Sequence, residues 1–210
     1  MPVFFQQDID EATKLAIWKI EEDEAFFTKK VNVQREITHA HKRLQHLAGR
    51  YLLKSLYPHF PVALIQIADT RKPFLHDEAY HFSISHCGDY AAVIVSSKKR
   101  VGIDIEKPTE IISRIKNKFL NEEELSSFNE CATIQFLTLI WSCKEAVFKW
   151  YGQGNVDFRK HILIEKINYE KQPMITSEIL FTKSTGIHLQ VQSFMYEELC
   201  LSWVDTDIEK

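Results

Sequence analysis

The sequence predicts an α+β fold in which a long helix and a small, mainly antiparallel sheet occur twice along the chain. Apolar residues recur at helical spacing over about 34–56 and again over about 137–151. Each of these segments is followed by short apolar, β-branched runs that are typical of strands. Helix and then strands therefore appear on each side of about residue 106, although the residues themselves do not repeat.

The elements before residue 106 are predicted from periodicity and turn residues. They are, in order, a helix and a turn over 10–27, a long helix over about 34–56, and strands over 82–85, 90–97 and 100–106. Pro58 and Pro61 end the long helix, because proline cannot continue the helical hydrogen-bond pattern. The turn after the first strand reads His-Cys-Gly-Asp, and it places His86 at an exposed rim.

The elements after residue 106 follow the same logic. They are, in order, helical segments over 111–119 and 122–128, a helix over about 137–151, and strands over 161–167, 179–182, 187–194 and 199–204. Pro108 interrupts regular structure before them. Gly152 and Gly154 suit the carboxyl end of the helix, because glycine readily adopts a left-handed backbone there.

Composition and charge narrow the class of protein. A chain of 210 residues with 45% hydrophobic content is long enough to bury a core in one large or two small domains. The 26 basic and 29 acidic residues give a net charge of −3, so the basic field typical of nucleic-acid binders is missing. Four cysteines without a C-x-x-C pair, and no leader or apolar segment of ~20 residues, predict a cytoplasmic protein with reduced thiols and no membrane span.

A first acidic motif reads Val-Gly-Ile-Asp-Ile-Glu over 101–106. Because alternate residues of a strand share a face, Gly102, Asp104 and Glu106 point to one side and the apolar residues between them point into a core. The two carboxylates then lie about 6 to 7 Å apart along the strand. Both are therefore within reach of one hard cation, although an acidic strand edge facing water is the plainer interpretation.

A second motif reads Trp-Ser-Cys-Lys-Glu-Ala-Val-Phe-Lys over 141–149 and lies on the later helix. Glu145 and Lys149 are neighbours at i and i+4, which also suits an ordinary surface ion pair. Lys144 falls toward the apolar side of this helix. Its stem could lie on apolar surface while the ammonium reaches a phosphate, or it could simply extend to water.

Two basic features are open to two interpretations. A stripe along the long N-terminal helix suits either a solvated face or an anion site, and it comprises His39, Arg43, His46, Arg50 and Lys54. The segment 113–119 carries three cations just after the first acidic motif. It suits either a solvated face or a docking surface for an acidic protein.

Together these motifs resemble the signature of the 4'-phosphopantetheinyl transferases. The Gly-Ile-Asp-Ile-Glu run is followed some 35 residues later by Trp-Ser-x-Lys-Glu-Ala-x-x-Lys, and Lys72-Pro73 and Phe-Ser-Ile-Ser-His over 82–86 precede both. The chain is similar to the two-half, single-chain, surfactin-synthetase-activating type. That resemblance implies two similar α+β halves, 1–106 and 107–210, with the active site between them in a monomer.

The resemblance also implies a reaction. The family moves the 4'-phosphopantetheine group of coenzyme A to a serine of an apo acyl or peptidyl carrier protein and releases adenosine 3',5'-bisphosphate. It implies Mg2+ bound by Asp104, Glu106 and Glu145, and catalysis by Glu145, Lys149 and His86. The residues implied in coenzyme A binding are Arg43, Arg50, Lys72, Pro73, Ser85, His86, Lys144 and Lys149. Cys87 and Ser83 depart from the family pattern, which often has serine and asparagine there.

Two other classes of function use the same residues. A metal-dependent phosphohydrolase acting on nucleotides or coenzyme A would need the same three carboxylates, with water as the nucleophile. A module that binds coenzyme A or a carrier without catalysis would not need all three acidic positions, and all three are present.

Overall fold

The structure is a computed structural model, and it describes residues 3–31, 37–128, 131–169, 173–183 and 186–208. It combines helices with antiparallel sheets, which confirms the predicted α+β class. The chain forms two compact units, one of Met1–Val101 with Asp207–Lys210 and the other of Gly102–Thr206. Each unit has an apolar core of its own. Within the described residues, no helix is both long and apolar enough to cross a membrane.

The first unit packs one long helix on a four-stranded antiparallel sheet. Its elements are β1 (Val3–Asp8), β2 (Thr13–Lys19), α1 (Glu24–Thr28), α2 (Ala40–Leu56), β3 (Gln66–Ile67), β4 (Pro73–Phe74), β5 (His81–Cys87) and β6 (Tyr90–Ser96). The sheet has the order β1-β2-β6-β5, and β3 pairs with β4 alone. Leu47, Leu52 and Leu53 of α2 share a buried core with Val93 and Val95 of β6. The predicted strands over 82–85 and 90–97 are therefore confirmed.

The prediction of a helix and a turn over 10–27 is wrong. This segment contains β2 and then, after a short loop, α1. Leu15 to Trp18 are all buried, and because successive strand residues point to opposite sides of the sheet, both faces of β2 are covered. A strand that is covered on both faces lacks the polar alternation that would mark it in the sequence. α1 starts at Asp23, whose side chain accepts a hydrogen bond from the amide of Phe26.

The long N-terminal helix starts later than predicted and ends where expected. Of its predicted first turn, residues 34–36 lie outside the described part of the chain. The described helix begins at Ala40, with His39 as its N-cap, so Ile37 precedes it. It ends at Leu56, before Pro58. The apolar spacing that predicted the helix extends to Ile37, before the N-cap His39. The spacing of apolar residues therefore does not locate the first residue of a helix to within one turn.

The second unit packs its long helix on a five-stranded antiparallel sheet. The strand β7 (Lys99–Glu106) contains the boundary between the units, and it is followed by α3 (Ile111–Ile115), α4 (Glu122–Ser127), α5 (Ile134–Tyr151), α6 (Phe158–His161), β8 (Ile162–Asn168), β9 (Met174–Phe181), β10 (Ile187–Met195) and β11 (Cys200–Asp207). The sheet has the order β7-β11-β10-β9-β8. α5 packs on β8 and β10.

The predicted elements of this half are confirmed, with shifted ends. Gly152 has φ 70° and closes α5, as its position in the sequence indicated. β9 begins at Met174, well before the predicted 179. Its first residues alternate between buried and half-buried, so they do not form the apolar run that indicated the strand in the sequence. The helical segment predicted over 111–119 divides into α3 and a 3-10 turn over Lys116–Lys118.

Candidate active site

The two acidic motifs meet where β7 lies against α5. Gly102 makes this approach possible, because a Cβ at this position would lie 2.1 Å from the carbonyl oxygen of Ala146 and 2.6 Å from the amide nitrogen of Trp150. Both atoms belong to the helix backbone and cannot rotate away. The missing side chain at Gly102 therefore lets the strand touch the helix, and it brings the carboxylates of β7 to the second motif.

Two side-chain contacts extend along this strand and helix. The ammonium of Lys149 lies 2.6 Å from Oδ1 of Asp104, whose side chain is 3% exposed. About two turns nearer the start of α5, the indole N–H of Trp141 donates to Oε1 of Glu106 over 3.1 Å. The apolar residues that alternate with Gly102, Asp104 and Glu106 are buried, as predicted from strand alternation; they are Val101, Ile103 and Ile105.

Glu145 is a buried carboxylate close to the charges of Asp104, Glu106 and Lys149. Burial raises its pKa to about 7, and the negative charges of Asp104 and Glu106 act in the same direction. Lys149 opposes them. The three predicted carboxylates thus interact electrostatically around one lysine, and Glu145 can exchange a proton near neutral pH.

The carboxylates of Asp104, Glu106 and Glu145 are the type of ligand that a hard divalent cation takes, but their side chains are not gathered around one point. Across the described ranges, no three His, Cys, Asp or Glu side chains are gathered in a way that could hold a metal ion. Lys149 supplies the positive charge beside Asp104 instead. Carboxylate oxygens are nevertheless the donors that Mg2+ takes, commonly one or two from the protein with the remainder from water and phosphate.

Lys144 is not available to a phosphate, which corrects the expected contact. Its side chain is 0% exposed, and its ammonium lies 2.7 Å from Oε1 of Glu124. It also donates to the carbonyl oxygen of Phe119 over 2.8 Å. Burial lowers the pKa of Lys144, and the carboxylate of Glu124 partly offsets this effect. Lys144 lies on the apolar side of α5, as predicted. On that side its ammonium contacts the buried carboxylate of Glu124 and not a phosphate.

His86 and Ser85 of the first unit face in different directions. His86 is exposed near the end of β5, as the turn predicted, whereas Ser85 is 6% exposed. Neighbouring strand residues alternate, so His86 shares a face with Ile84. A Cβ on Gly49 of α2 would lie 2.8 Å from Cγ2 of Ile84, which places α2 on that face. His86 therefore lies on the α2 side of the sheet, and Ser85 lies on the other.

The turn after His86 is held by α2. The side-chain amide of Gln45 donates to the carbonyl oxygen of Gly88 over 2.7 Å. Nε2 of His41 lies 3.0 Å from the same oxygen and 3.5 Å from Oδ1 of Asp89. α2 thus fixes the rim that carries His86.

The two arginines expected to contact coenzyme A differ in exposure. The Arg43 guanidinium is 32% exposed and forms an ion pair of 2.8 Å with Glu24. The carboxylate of Glu24 raises the pKa of Arg43, and Arg43 also donates to the carbonyl oxygen of Ile37 over 2.7 Å. Arg50 is buried, with 8% exposure. Of the two, Arg43 is the more accessible to a ligand.

Lys72 and Pro73 lie at a short hairpin of the same unit. Pro73 opens β4 and pairs with Ile67 of β3. Burial and, to a smaller extent, the positive charge of Arg100 together lower the pKa of Lys72 to about 8. A half-buried cation near another cation favours the approach of an anion.

The sequence model of the 4'-phosphopantetheinyl transferase superfamily matches residues 100–204, which include β7, α5 and the carboxylate cluster. The chain belongs to this superfamily. It is 32% identical over 169 residues to "Enterobactin synthase component D" of Escherichia coli O157:H7, which covers 76% of this chain and 77% of that protein.

Other members of the superfamily are similar over a smaller share of their length. "4'-phosphopantetheinyl transferase gsp" of Aneurinibacillus migulanus is 32% identical over 51% of this chain and 46% of its own. "L-aminoadipate-semialdehyde dehydrogenase-phosphopantetheinyl transferase" of Xenopus laevis is 27% identical over 74% of this chain and 58% of its own. The chain thus spans about half the length of several curated superfamily members that it matches.

Three residues of this superfamily member had no predicted role, although each of them left a signal in the sequence. Trp141 lies four residues before Glu145 and so shares its helix face, which leads to its contact with Glu106. Asn121 and Glu124 have the spacing of a capping box, which marks Glu124 as the start of a helix. Nothing in the sequence indicated that the same Glu124 would pair with Lys144.

Proposed function

We propose that this chain transfers the 4'-phosphopantetheine group of coenzyme A to a serine hydroxyl of an apo acyl or peptidyl carrier protein. The observation that carries the proposal is the cluster of Asp104, Glu106, Glu145 and Lys149, assembled by the contact of β7 with α5. It lies inside the segment matched by the superfamily model. Adenosine 3',5'-bisphosphate is the expected second product.

Within this proposal, Asp104, Glu106 and Glu145 would hold Mg2+, which supplies positive charge to a diphosphate when bound. Lys149, which pairs with Asp104 in the structure, would give a second positive charge to the same phosphates once Asp104 has another cation to pair with. Trp141 keeps one oxygen of Glu106 in a fixed orientation. Most of the rate acceleration would then come from positioning and electrostatics, as in other phosphoryl transfers.

Glu145 is proposed to take the proton of the carrier serine. Without a metal, burial raises the pKa of Glu145 to about 7, and a bound Mg2+ would lower it, so Glu145 would act on the serine directly or through a metal-bound water. Asp104 is less suited to this role, because it is 3% exposed and already paired with Lys149.

Coenzyme A binding is proposed to use residues of the first unit. His86 is exposed and would donate a ring N–H to a phosphate, and Lys72 is a half-buried cation near Arg100. Arg43 would have to exchange Glu24 for the ligand. Arg50, Pro73 and Ser85 complete the proposed set, in which the buried Ser85 and Arg50 would act through their neighbours.

The proposal extends to three further properties. The division into halves 1–106 and 107–210 and the monomeric state are part of the proposal, and two compact helix-and-sheet units in one chain, dividing at Val101 and Gly102, support them. A cytoplasmic location agrees with the absence of a disulfide at four cysteines, Cys87, Cys131, Cys143 and Cys200.

The test is incubation of the protein with coenzyme A, Mg2+ and purified apo carrier proteins, followed by intact-mass measurement of each carrier. A mass increase equal to one phosphopantetheine group, located on the carrier serine, is the expected result. A parallel reaction without carrier measures release of adenosine 3',5'-bisphosphate. Release at the same rate with and without carrier, with no modified carrier, would instead identify a phosphohydrolase and end the proposal.

A further inference from the structure

The most completely buried charged group in the second unit is Lys144, next in sequence to Glu145. Its ammonium has four acceptors: both carboxylate oxygens of Glu124 at 2.7 Å, the carbonyl oxygen of Phe119 at 2.8 Å and that of Phe158 at 3.3 Å. These acceptors come from three different places in the chain. A lysine has only three donors, so each of its protons has an acceptor within this pocket.

Glu124 is held just as firmly as its partner. Its Oε2 accepts the amide N–H of Asn121 over 3.0 Å, and its Oε1 accepts the amide N–H of Ile164 over 2.9 Å. Asn121 completes a capping box by accepting from the amide of Glu124 over 2.8 Å. The carboxylate therefore connects the start of α4, the strand β8 and, through Lys144, the middle of α5.

Stability alone does not account for such a pair. Removing two charges from water costs more than their attraction often returns, and well-packed apolar residues in their place are commonly as stable or more so. Apolar packing, however, tolerates rotation and sliding of a helix more readily than hydrogen bonds with fixed donors and acceptors do. The pair therefore points to a requirement for one orientation of α5.

The orientation of α5 decides what the candidate site contains. Successive helix residues are separated by about 100° around the axis, so fixing Lys144 also fixes the direction of Glu145. Lys149 follows one turn later and reaches Asp104, and Trp141 precedes by one turn and reaches Glu106. A small rotation of α5 would break both contacts together.

We propose that the Glu124–Lys144 pair positions α5, so that Glu145, Lys149 and Trp141 face the carboxylates of β7. The two residues act through α5 and are positioning residues of the transfer reaction. This inference rests on the proposed function for its activity readout. The structural measurement, which follows the Trp141 indole, is independent of the proposed function.

The experiment compares Glu124→Gln, Lys144→Met and the double variant with the parent. Each single change leaves one buried charge without its partner, so both single variants should melt below the double variant, which has neither charge. Transfer should nevertheless stay lowered in all three, with kcat reduced by about ten- to a hundredfold, because the helix is no longer held in register. Glu165→Gln, which removes an exposed pair with His188, is the matched control and should behave as the parent.

A second measurement reports the orientation of α5 without substrate. The indole N–H of Trp141 gives its own resonance in a 15N-labelled sample, and it is bonded to Glu106. In the Glu124 and Lys144 variants this resonance should shift and its proton should exchange faster. The indole of Trp18, which donates to Glu22 in the other unit, should not change.

The outcomes separate the alternatives. If kcat in the double variant recovers together with the melting temperature, or if the Trp141 resonance stays unchanged in the folded variants, the pair only stabilises the fold and the inference is overturned. Glu124→Gln keeps an oxygen acceptor for Lys144, so it decides the matter if the other variants do not fold. A parent protein that modifies no carrier, but whose Trp141 signal depends on the pair, would refute the proposed function and leave the positioning role standing.

Discussion

At the scale of single residues, the main feature of the candidate site is that the carboxylates of Asp104 and Glu145 are shielded from water. Asp104 is 3% exposed beside Lys149, and the pKa of Glu145 is raised to about 7 by burial and by its acidic neighbours. Charges in such surroundings interact more strongly than they do in water. The same surroundings make each of them sensitive to conservative substitution.

The first prediction concerns these carboxylates. Asp104→Asn and Glu145→Gln keep the side-chain shape but remove a negative charge, so they should lower transfer by at least about a hundredfold with little loss of fold. Transfer is measured with saturating coenzyme A and Mg2+, and folding by circular dichroism. Glu165→Gln provides the control for a lost surface carboxylate. Full transfer in either site variant would show that the cluster is not the reaction centre.

The second prediction concerns Lys72. Its folded-state pKa of about 8 lies below the unfolded value, so the folded state releases this proton first as the pH rises. The cost of burying the charge is present below about pH 8 and disappears between there and the unfolded pKa. Lys72→Met should therefore raise the free energy of unfolding at pH 7 by roughly 1–2 kcal/mol, and the gain should shrink toward pH 10.

Urea unfolding of both proteins at several pH values between 7 and 10 measures that difference. A gain that is constant over this range would mean that the methionine acts by packing and not by removing a charge. The same variant should bind coenzyme A more weakly in calorimetry, since the proposed anion contact is lost. Unchanged affinity would remove Lys72 from the proposed binding set.

At the scale of elements, the site is a product of one strand touching one helix. β7 can lie against α5 only because Gly102 has no side chain, and the contacts of Asp104 with Lys149 and of Glu106 with Trp141 follow from it. The Glu124–Lys144 pair holds the other side of the same helix. Strand and helix are thus fixed from two directions.

The third prediction tests that contact. In Gly102→Ala the new methyl group meets the backbone of Ala146 and Trp150, so α5 must move away and the protein should lose about 1–3 kcal/mol of stability together with most of its transfer activity. Gly49→Ala is the matched control. Its methyl group meets only the side chain of Ile84, which can adjust, and the loss of activity should be small. Equal effects of the two changes would contradict the argument.

At the scale of the whole molecule, a net charge of −3 gives no general attraction for an acidic partner. Any docking of a carrier protein must therefore use a local surface. Arg114 of α3 and Lys118 of the 3-10 turn that follows it are exposed. Arg114 forms only a long ion pair with Glu110, of 3.9 Å. These cations remain available to a partner.

The fourth prediction is that the Arg114→Glu and Lys118→Glu double variant raises the apparent KM for the carrier and flattens its dependence on salt, with the KM for coenzyme A unchanged. Charge steering acts mainly on encounter, which explains the expected effect on salt dependence. Lys160→Glu with Lys166→Glu changes the net charge equally on exposed residues of the same unit and serves as the control. Equal carrier kinetics in both double variants would place the docking surface elsewhere.

The sequence by itself determined the α+β class, most helices and strands, the family and the residues of the carboxylate cluster. These follow from period, turn residues and motif spacing, which are local properties of the chain. Only the tertiary structure decided that 13–19 is a strand, because a strand covered on both faces has no distinctive period. It also decided the partner of Lys144. Glu124 lies 20 residues away, and packing alone brings that carboxylate to the buried ammonium.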